Sequence, residues 1–235
     1  MNSIYENILQ DISNRKQLLA VLIDPETFQI ENGSLFLKSL PQQVTHLFVG
    51  GSTSENNKTS DTIQCLKKCS KLPLILFPGD AKQITSTANA ILFLSLLSGR
   101  NPEYLIEQHL KAVPILKNTH IEIIPTGYIL IDGGKESAVE RVSKTKPIAQ
   151  NQIKKIINTA LAGQYLGKKL IYLEAGSGAL HRVNNKIISE VKKAVQIPLL
   201  VGGGITSAKE LQEVFNAGAD MVVIGTAFET QTFEM

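Results

Sequence analysis

The chain has no tryptophan and two cysteines, Cys65 and Cys69. These lie four apart on a segment of helical pattern, with no histidine or further cysteine at ligand spacing. Half-buried thiols fit them better than a disulfide framework or a zinc site. Charge of one sign is also scarce. Twenty-four Lys and Arg against 21 Asp and Glu leave a net charge of +3, and no basic run is dense enough for a nucleic-acid arm. No stretch reaches the roughly 20 apolar residues of a membrane span, which leaves at most peripheral membrane contact. The first residues, MNSIYENILQDISNRKQ, lack the apolar centre of a secretory signal, so a cytoplasmic location is expected. Catalytic signatures are missing too. DGGKES lacks the first glycine of a phosphate-binding GxxxxGK[ST] loop, and there is no GxSxG, HExxH or Cys–His pairing. His46, His109, His120 and His181 fall in no catalytic spacing; His109 and His120 read as surface or packing residues.

What is present is ordinary for a globular protein with a sizeable core: 43% hydrophobic and 19% charged residues over 235 positions,. Short apolar runs recur at 18–24, 45–52, 72–80, 90–99, 121–132, 170–178, 197–204 and 220–227. Their near-continuous Val/Ile/Leu character suits strands covered on both faces, as in a parallel sheet. Segments of helical period lie between most of them. Asn184, Thr206 or Ser207, and Asn101 with Pro102 read as helix starts, and Gly167 and Gly218 as stops,. Eight strands alternating with helices in this length indicate one domain, residues 1–235, folded as an α/β (β/α)8 TIM barrel. An open doubly wound sheet is the alternative. DAKQITSTAN, between the third and fourth strands, is too short for a full covering helix. The segment after the fifth strand is instead long and basic, with Lys135, Arg141, Lys144 and Lys146, the length of a functional lid or a disordered loop.

Barrels of this kind carry their active sites at the C-terminal strand ends. The last three strands deliver Gly176 and Gly178, then Gly202, Gly203 and Gly204, then Gly225. Glycines can simply make tight turns. Three bare turns on one rim, where barrels commonly hold phosphate, favour an anion site. Asp24 and Ser52 end strands 1 and 2, which places them on the arc opposite. One carboxylate and one hydroxyl suffice for Mg²⁺ that keeps waters and substrate phosphate oxygens; DPE at Asp24 equally resembles a capping sequence. Glu174 is the carboxylate that the sixth strand brings to the mouth. Tyr128, Leu94 and Leu97 could line a groove for an apolar ligand or belong to the barrel core, with core the better reading.

VLIDPE, FVGGS, LFPGD, LSLLSGRNPEYLI, PTGYIL, YLEAGSG, VGGGI and ADMVVIGTA follow one another as in the geranylgeranylglyceryl phosphate synthase family, which includes bacterial heptaprenylglyceryl phosphate synthases. The chain resembles that family over nearly its whole length. YLEAGSG combined with SLLSGRNP is the specific part; GGGI alone fits many phosphate-binding barrels. The resemblance implies a barrel with one covering helix replaced by a loop, in a homodimer or higher homo-oligomer. It implies transfer of a long prenyl group, most simply geranylgeranyl, from its diphosphate to the 3-hydroxyl of sn-glycerol 1-phosphate, with Mg²⁺ at Asp24 and Ser52. It further implies a glycerol-phosphate site at Tyr172, Leu173, Glu174, Ala175, Gly176, Ser177, Gly178, Gly202, Gly203, Gly225 and Thr226. Glu174 is the expected catalytic residue, and Arg141, Lys144 and Lys146 could close over diphosphate. No DDxxD run is present, which separates the chain from the usual chain-elongating prenyltransferases. A phosphosugar isomerase or lyase would share the phosphate rim, and so would a non-catalytic phosphate-binding barrel.

Overall fold

Eight strands hydrogen-bond in chain order and close on themselves: β1 (Leu18–Ile23), β2 (Val44–Val49), β3 (Leu74–Leu76), β4 (Ala90–Leu96), β5 (Glu122–Leu130), β6 (Leu170–Glu174), β7 (Leu199–Gly202) and β8 (Met221–Ile224). The computed structural model describes residues 3–51 and 56–234, so Ser52 lies outside the described residues. All pairs are parallel, and β1 meets β8 from Leu18↔Met221 to Val21↔Ile224. That closure rules out the open sheet. Strand alternation sorts the side chains into two layers. Leu18, Ala20, Phe48, Leu92, Tyr172 and Leu200 fill the barrel interior, whereas Leu19, Val21, Leu47, Leu173 and Val201 turn outward beneath the helices. Both faces are therefore apolar, as the uninterrupted runs require.

The outer layer comprises α2 (Gly33–Ser39), α3 (Asn56–Cys69), α4 (Gln108–Leu116), α5 (Ala138–Ser143), α6 (Ile153–Tyr165), α7 (Asn185–Ala194), α8 (Ala208–Asn216) and the short α9 (Thr226–Glu229). Side chains cap them where expected. Asn184 accepts from the Lys186 N–H at 2.9 Å and Ser207 from the Glu210 N–H at 3.3 Å, which offsets donors left bare in a first turn. Asn101 accepts from the Glu103 N–H at 3.1 Å and opens a π-helical turn, Glu103–Glu107, that runs into α4. Gly167 and Gly218 end their helices at φ +83° and +112°.

Between β3 and β4 the covering helix is reduced to a 3-10 turn, Ala81–Gln83. β4 pairs with β5 from Ala90↔Glu122 through Leu96↔Tyr128, but with β3 only at Ile75↔Ala90 and Leu76↔Ile91. Above Leu76 the barrel wall parts. The basic segment after β5 is built rather than loose: it holds α5 and returns to the sheet through an Ile131↔Ile148 bridge.

Helix α1 (Ile4–Ser13) plugs the opposite, N-terminal end, starting from a Ser3–Glu6 capping box. Its Ile8 is 1% exposed and packs into the barrel interior with Leu18 and Ala20.

Candidate active site

A cavity of about 430 Å³ occupies the C-terminal mouth. Its floor is aromatic. Phe77 meets Tyr172 edge-on with ring centroids 5.5 Å apart, Tyr172 meets Tyr128 at 5.3 Å, and Phe48 stacks below Phe77 at 6.2 Å. Four of the chain's few aromatic rings thus seal the barrel below the site and keep water from entering through the core.

Glu174 stands on this floor, 7% exposed. The Tyr172 hydroxyl donates to one carboxylate oxygen and the Gly176 N–H to the other, at 2.7 Å. Burial pushes the Glu174 carboxyl above its ordinary pKa, while these two donors pull the other way,. Burial, with the nearby Glu174 charge, also holds the Tyr172 and Tyr128 hydroxyls well above theirs, so both stay protonated. Glycine is required beside the carboxylate. A Cβ at Gly202 would lie 2.9 Å from Glu174 Oε2, and one at Gly203, whose φ is +83°, would collide with Oε1,. The result is a carboxylate fixed in position, partly desolvated and facing the cavity.

The glycine arc continues around the mouth. Gly176, Ser177, Gly178, Gly203, Gly204, Gly225 and Thr226 border the cavity, and the Ser177 and Thr226 hydroxyls join at 2.8 Å across the end of β7. Leu173 and Ala175 turn their side chains away, into the layer under the helices. Gly202 lies just below the rim against Tyr172 and Glu174. Asp24 also borders the cavity, but it is not across from the glycines. Barrel closure pairs β1 with β8, so Asp24 adjoins Gly225 and Thr226 and the two groups form one continuous arc. Asp24 Oδ1 accepts the Glu26 N–H at 2.9 Å, capping a turn and not a helix.

Two further residues support this corner, and neither stands out from sequence. Glu229, on α9, accepts the Asp24 N–H at 2.8 Å. Burial raises its carboxyl pKa, and the Asp24 charge adds to this. Gln83, fully buried in the 3-10 turn, accepts the Gly79 N–H at 3.1 Å and donates to the Gly51 carbonyl at 2.7 Å. The residue that replaces a covering helix thus ties down the loop beside Asp24. Only a buried location could mark either side chain, and no motif signals it.

From the polar arc the cavity runs out through the parted β3–β4 wall onto Ile84, Ile91, Phe93, Tyr104, His109 and Ala112. Tyr128 and Leu94 line it, whereas Leu97 packs outside the barrel where Gly127 and Gly163 leave space. His109 is buried against Phe93 at 4.3 Å between ring centroids, so it is a packing residue, while His120 is exposed. Burial lowers the His109 pKa.

The basic segment splits up. Arg141 pairs with Glu136 at 3.6 Å, Lys146 pairs with Glu140 at 3.0 Å, and Lys144 ends α5 in the left-handed region. None of the three borders the cavity. Arg100 is spent on the Leu97 and Gly99 carbonyls. Among the described residues no group of three His, Cys, Asp or Glu is arranged to hold a metal by itself, and no helix is long and apolar enough to cross a membrane.

A closed (β/α)8 barrel whose mouth joins a glycine arc to a fixed carboxylate and an apolar outlet has the build of a barrel enzyme with its site at the C-terminal strand ends,. Within that class the chain belongs to the PcrB family, which matches it over residues 10–235. It is 59% identical over 234 residues, all of both chains, to a geranylgeranylglyceryl phosphate synthase of Zunongwangia profunda. To the enzyme of that name from Pyrococcus furiosus it is 39% identical over 227 residues, 96% of this chain and 90% of the relative. The crystal structure of (S)-3-O-geranylgeranylglyceryl phosphate synthase from Thermoplasma acidophilum, in complex with its substrate sn-glycerol-1-phosphate, superposes with a TM-score of 0.89. The two are 33% identical, over 97% of this chain and 92% of that one.

Proposed function

We propose that the protein is a prenyltransferase that joins the 3-hydroxyl of sn-glycerol 1-phosphate to a long-chain prenyl diphosphate, geranylgeranyl diphosphate by preference, and releases diphosphate. The observation that carries this is the continuity of one cavity from the Glu174–glycine arc to the apolar outlet through the β3–β4 gap. Its relatives of the same name and its likeness to a barrel solved with sn-glycerol 1-phosphate support the reading.

The glycine arc takes the phosphate end of glycerol phosphate, because N–H groups without neighbouring Cβ atoms approach an anion closely. The hydroxyl end then reaches Glu174. As the alcohol oxygen forms its bond to the prenyl carbon, the bond from that carbon to diphosphate breaks and the hydroxyl proton passes to Glu174. A positioned base of this kind contributes about 10²–10⁴-fold. The apolar outlet holds the prenyl chain and excludes water that would otherwise compete for the same carbon.

Mg²⁺ fits the Asp24 corner. A Cβ at Gly51 would lie 2.9 Å from Asp24 Oδ2 and fill the space beside that carboxylate. A single carboxylate with hydroxyl, water and diphosphate oxygens is the donor set this ion favours. Asp24 would hold it, with Ser52 the second residue the sequence points to. When bound, the ion offsets charge on the departing diphosphate. A phosphosugar isomerase would have no use for the apolar outlet. We also assign homo-oligomerisation to the exposed apolar faces of the π turn, α4 and α6, where Ile106, Leu110, Val113, Tyr165 and Leu166 stand 49–79% exposed,.

The test is direct: incubate the purified protein with sn-glycerol 1-phosphate, Mg²⁺ and labelled C20 or C35 prenyl diphosphate. An ether product, formed with higher kcat/KM from the C20 donor, is expected. Folded, saturated protein that forms no ether overturns the reading.

A further inference from the structure

We propose that Lys135 supplies the positive charge for the phosphate of the small substrate, standing over the glycine arc at Gly178 as a binding residue that the family motifs do not mark. This rests on the function proposed above and adds a residue to its anion end. The need for it comes from the cavity's own charge. Asp24, Asp80, Glu174 and Glu229 border the cavity, and among the described residues no lysine or arginine does. A phosphate monoester carries about −1.5 to −2 charges near neutral pH. Backbone N–H groups alone would have to hold it against nearby carboxylates.

Lys135 brings its ammonium to that end. A Cβ at Gly178, where φ is +59°, would have the Lys135 Nζ as its one close neighbour, at 3.2 Å. Side-chain bulk at 178 would therefore occupy the space between the ammonium and the rim. Arg141 pairs with Glu136 and Lys146 with Glu140. Lys135 and Lys144 make no ion pair among the described residues, but Lys144 stands at the far end of α5 as its left-handed cap, and of the two only Lys135 is placed against a rim glycine.

Its backbone is held in place from both sides. The Gly133 carbonyl accepts the Leu180 and His181 N–H groups at 2.9 and 3.0 Å, and Asp132 accepts the Gly134 N–H at 2.9 Å. Gly176 packs so closely on Ser137 that a Cβ there would lie 2.8 Å away. The segment after β5 is thus stitched to the one after β6 on both sides of Lys135, and its flexible stem can bring a point charge to the phosphate wherever the oxygens settle.

Lys135→Gln tests this in two measurements, since neither the fold nor Glu174 depends on an exposed lysine. Steady-state kinetics should show KM for sn-glycerol 1-phosphate rising roughly 10- to 100-fold, the scale of one charged hydrogen bond. KM for the prenyl diphosphate and kcat should move less than about threefold. Lys135→Arg should recover most of the loss. Calorimetric titration with inorganic phosphate, without prenyl donor, should show the same weakening, and raising the salt should narrow the gap between wild type and variant. An unchanged KM for glycerol phosphate with unchanged phosphate affinity overturns the assignment, as does an equal rise in both KM values. If wild type forms no ether, the functional reading falls, and the phosphate titration still decides Lys135.

Discussion

At the lower end of the barrel Glu122 turns its carboxylate to the first turn of α1 and accepts the N–H groups of Ile4 and, at 3.1 Å, Tyr5. At the upper end Glu174 accepts one N–H and one phenol O–H and keeps its remaining lone pairs toward a cavity. The two glutamates end up in different trades. Glu122, half-buried, fills with the Ser3 cap the bare donors of a helix that closes the barrel, and it does not border the cavity. Glu174 is surrounded by glycines that remove side-chain bulk and by tyrosines that stay protonated. Both carboxylates accept backbone N–H groups; whether the remaining oxygen positions face a helix or an opening separates scaffold from chemistry. Substitutions at the two ends should separate in the same way, one moving rate and the other stability.

The largest effect belongs to Glu174→Gln. Losing the proton acceptor should cut kcat for ether formation by about 10²–10⁴-fold. The melting temperature should hold or rise, because a buried charge disappears while the Gly176 N–H keeps an acceptor. The pH dependence has a definite sign. With the carboxyl pKa raised by burial, the folded protein binds more protons than the unfolded chain above the ordinary carboxyl pKa. Glu174 therefore favours stability at low pH and costs stability as pH rises through its folded pKa, the range in which activity turns on. A variant with wild-type kcat would erase the contrast.

Glu122→Ala should do the reverse. Two helix-terminal N–H groups lose their acceptor, at about 1–3 kcal/mol, or a fall of roughly 3–10 °C in melting temperature for a domain of this size. Turnover at 25 °C should stay within about twofold. A matching loss of kcat would show that the lower plug and the mouth are coupled.

How far these ends can be read from sequence differs for a physical reason. The upper end is written locally: an uninterrupted apolar run stopping at Glu174 and then Gly176 and Gly178 shows a strand covered on both faces giving way to bare backbone, and a rim calls for that. The eight runs, the caps at Asn184 and Ser207, and the missing helix at DAKQITSTAN are local in the same sense. What stayed hidden depends on closure or on distant contacts. Asp24 meets the glycine arc because β1 pairs with β8. Glu229 reaches Asp24 across 205 residues, and Gln83 reaches Gly51 across 32. Glu122 looks like an exposed strand start until α1 arrives from 118 residues away. Leu97 and Leu94 read alike, and only the parting of β4 from β3 sends one to the cavity and the other under α6.

The smallest expected effect sharpens the lower end further, and pH reads it out. His46 shares a face of β2 with Phe48, is 5% exposed, and places Nδ1 2.8 Å from the Thr45 hydroxyl. Burial lowers its pKa to about 4, against a weaker upward pull from Asp11 on α1. The folded protein thus keeps the imidazole neutral where the unfolded chain, with a pKa near 6.5, takes a proton. Stability from this residue is complete above pH 6.5 and is lost as pH falls toward 4, amounting to about 2 kcal/mol at pH 5. Carboxylates titrate in the same range, so the comparison must be between wild type and His46→Asn, each melted from pH 8 to pH 5. The variant should lose less stability over that interval, by about 2 kcal/mol, and should keep its KM for glycerol phosphate at pH 7.5. Parallel pH profiles would mean that His46 is protonated without penalty, and that the lower end is wetter than its packing against Phe48 and α1 requires.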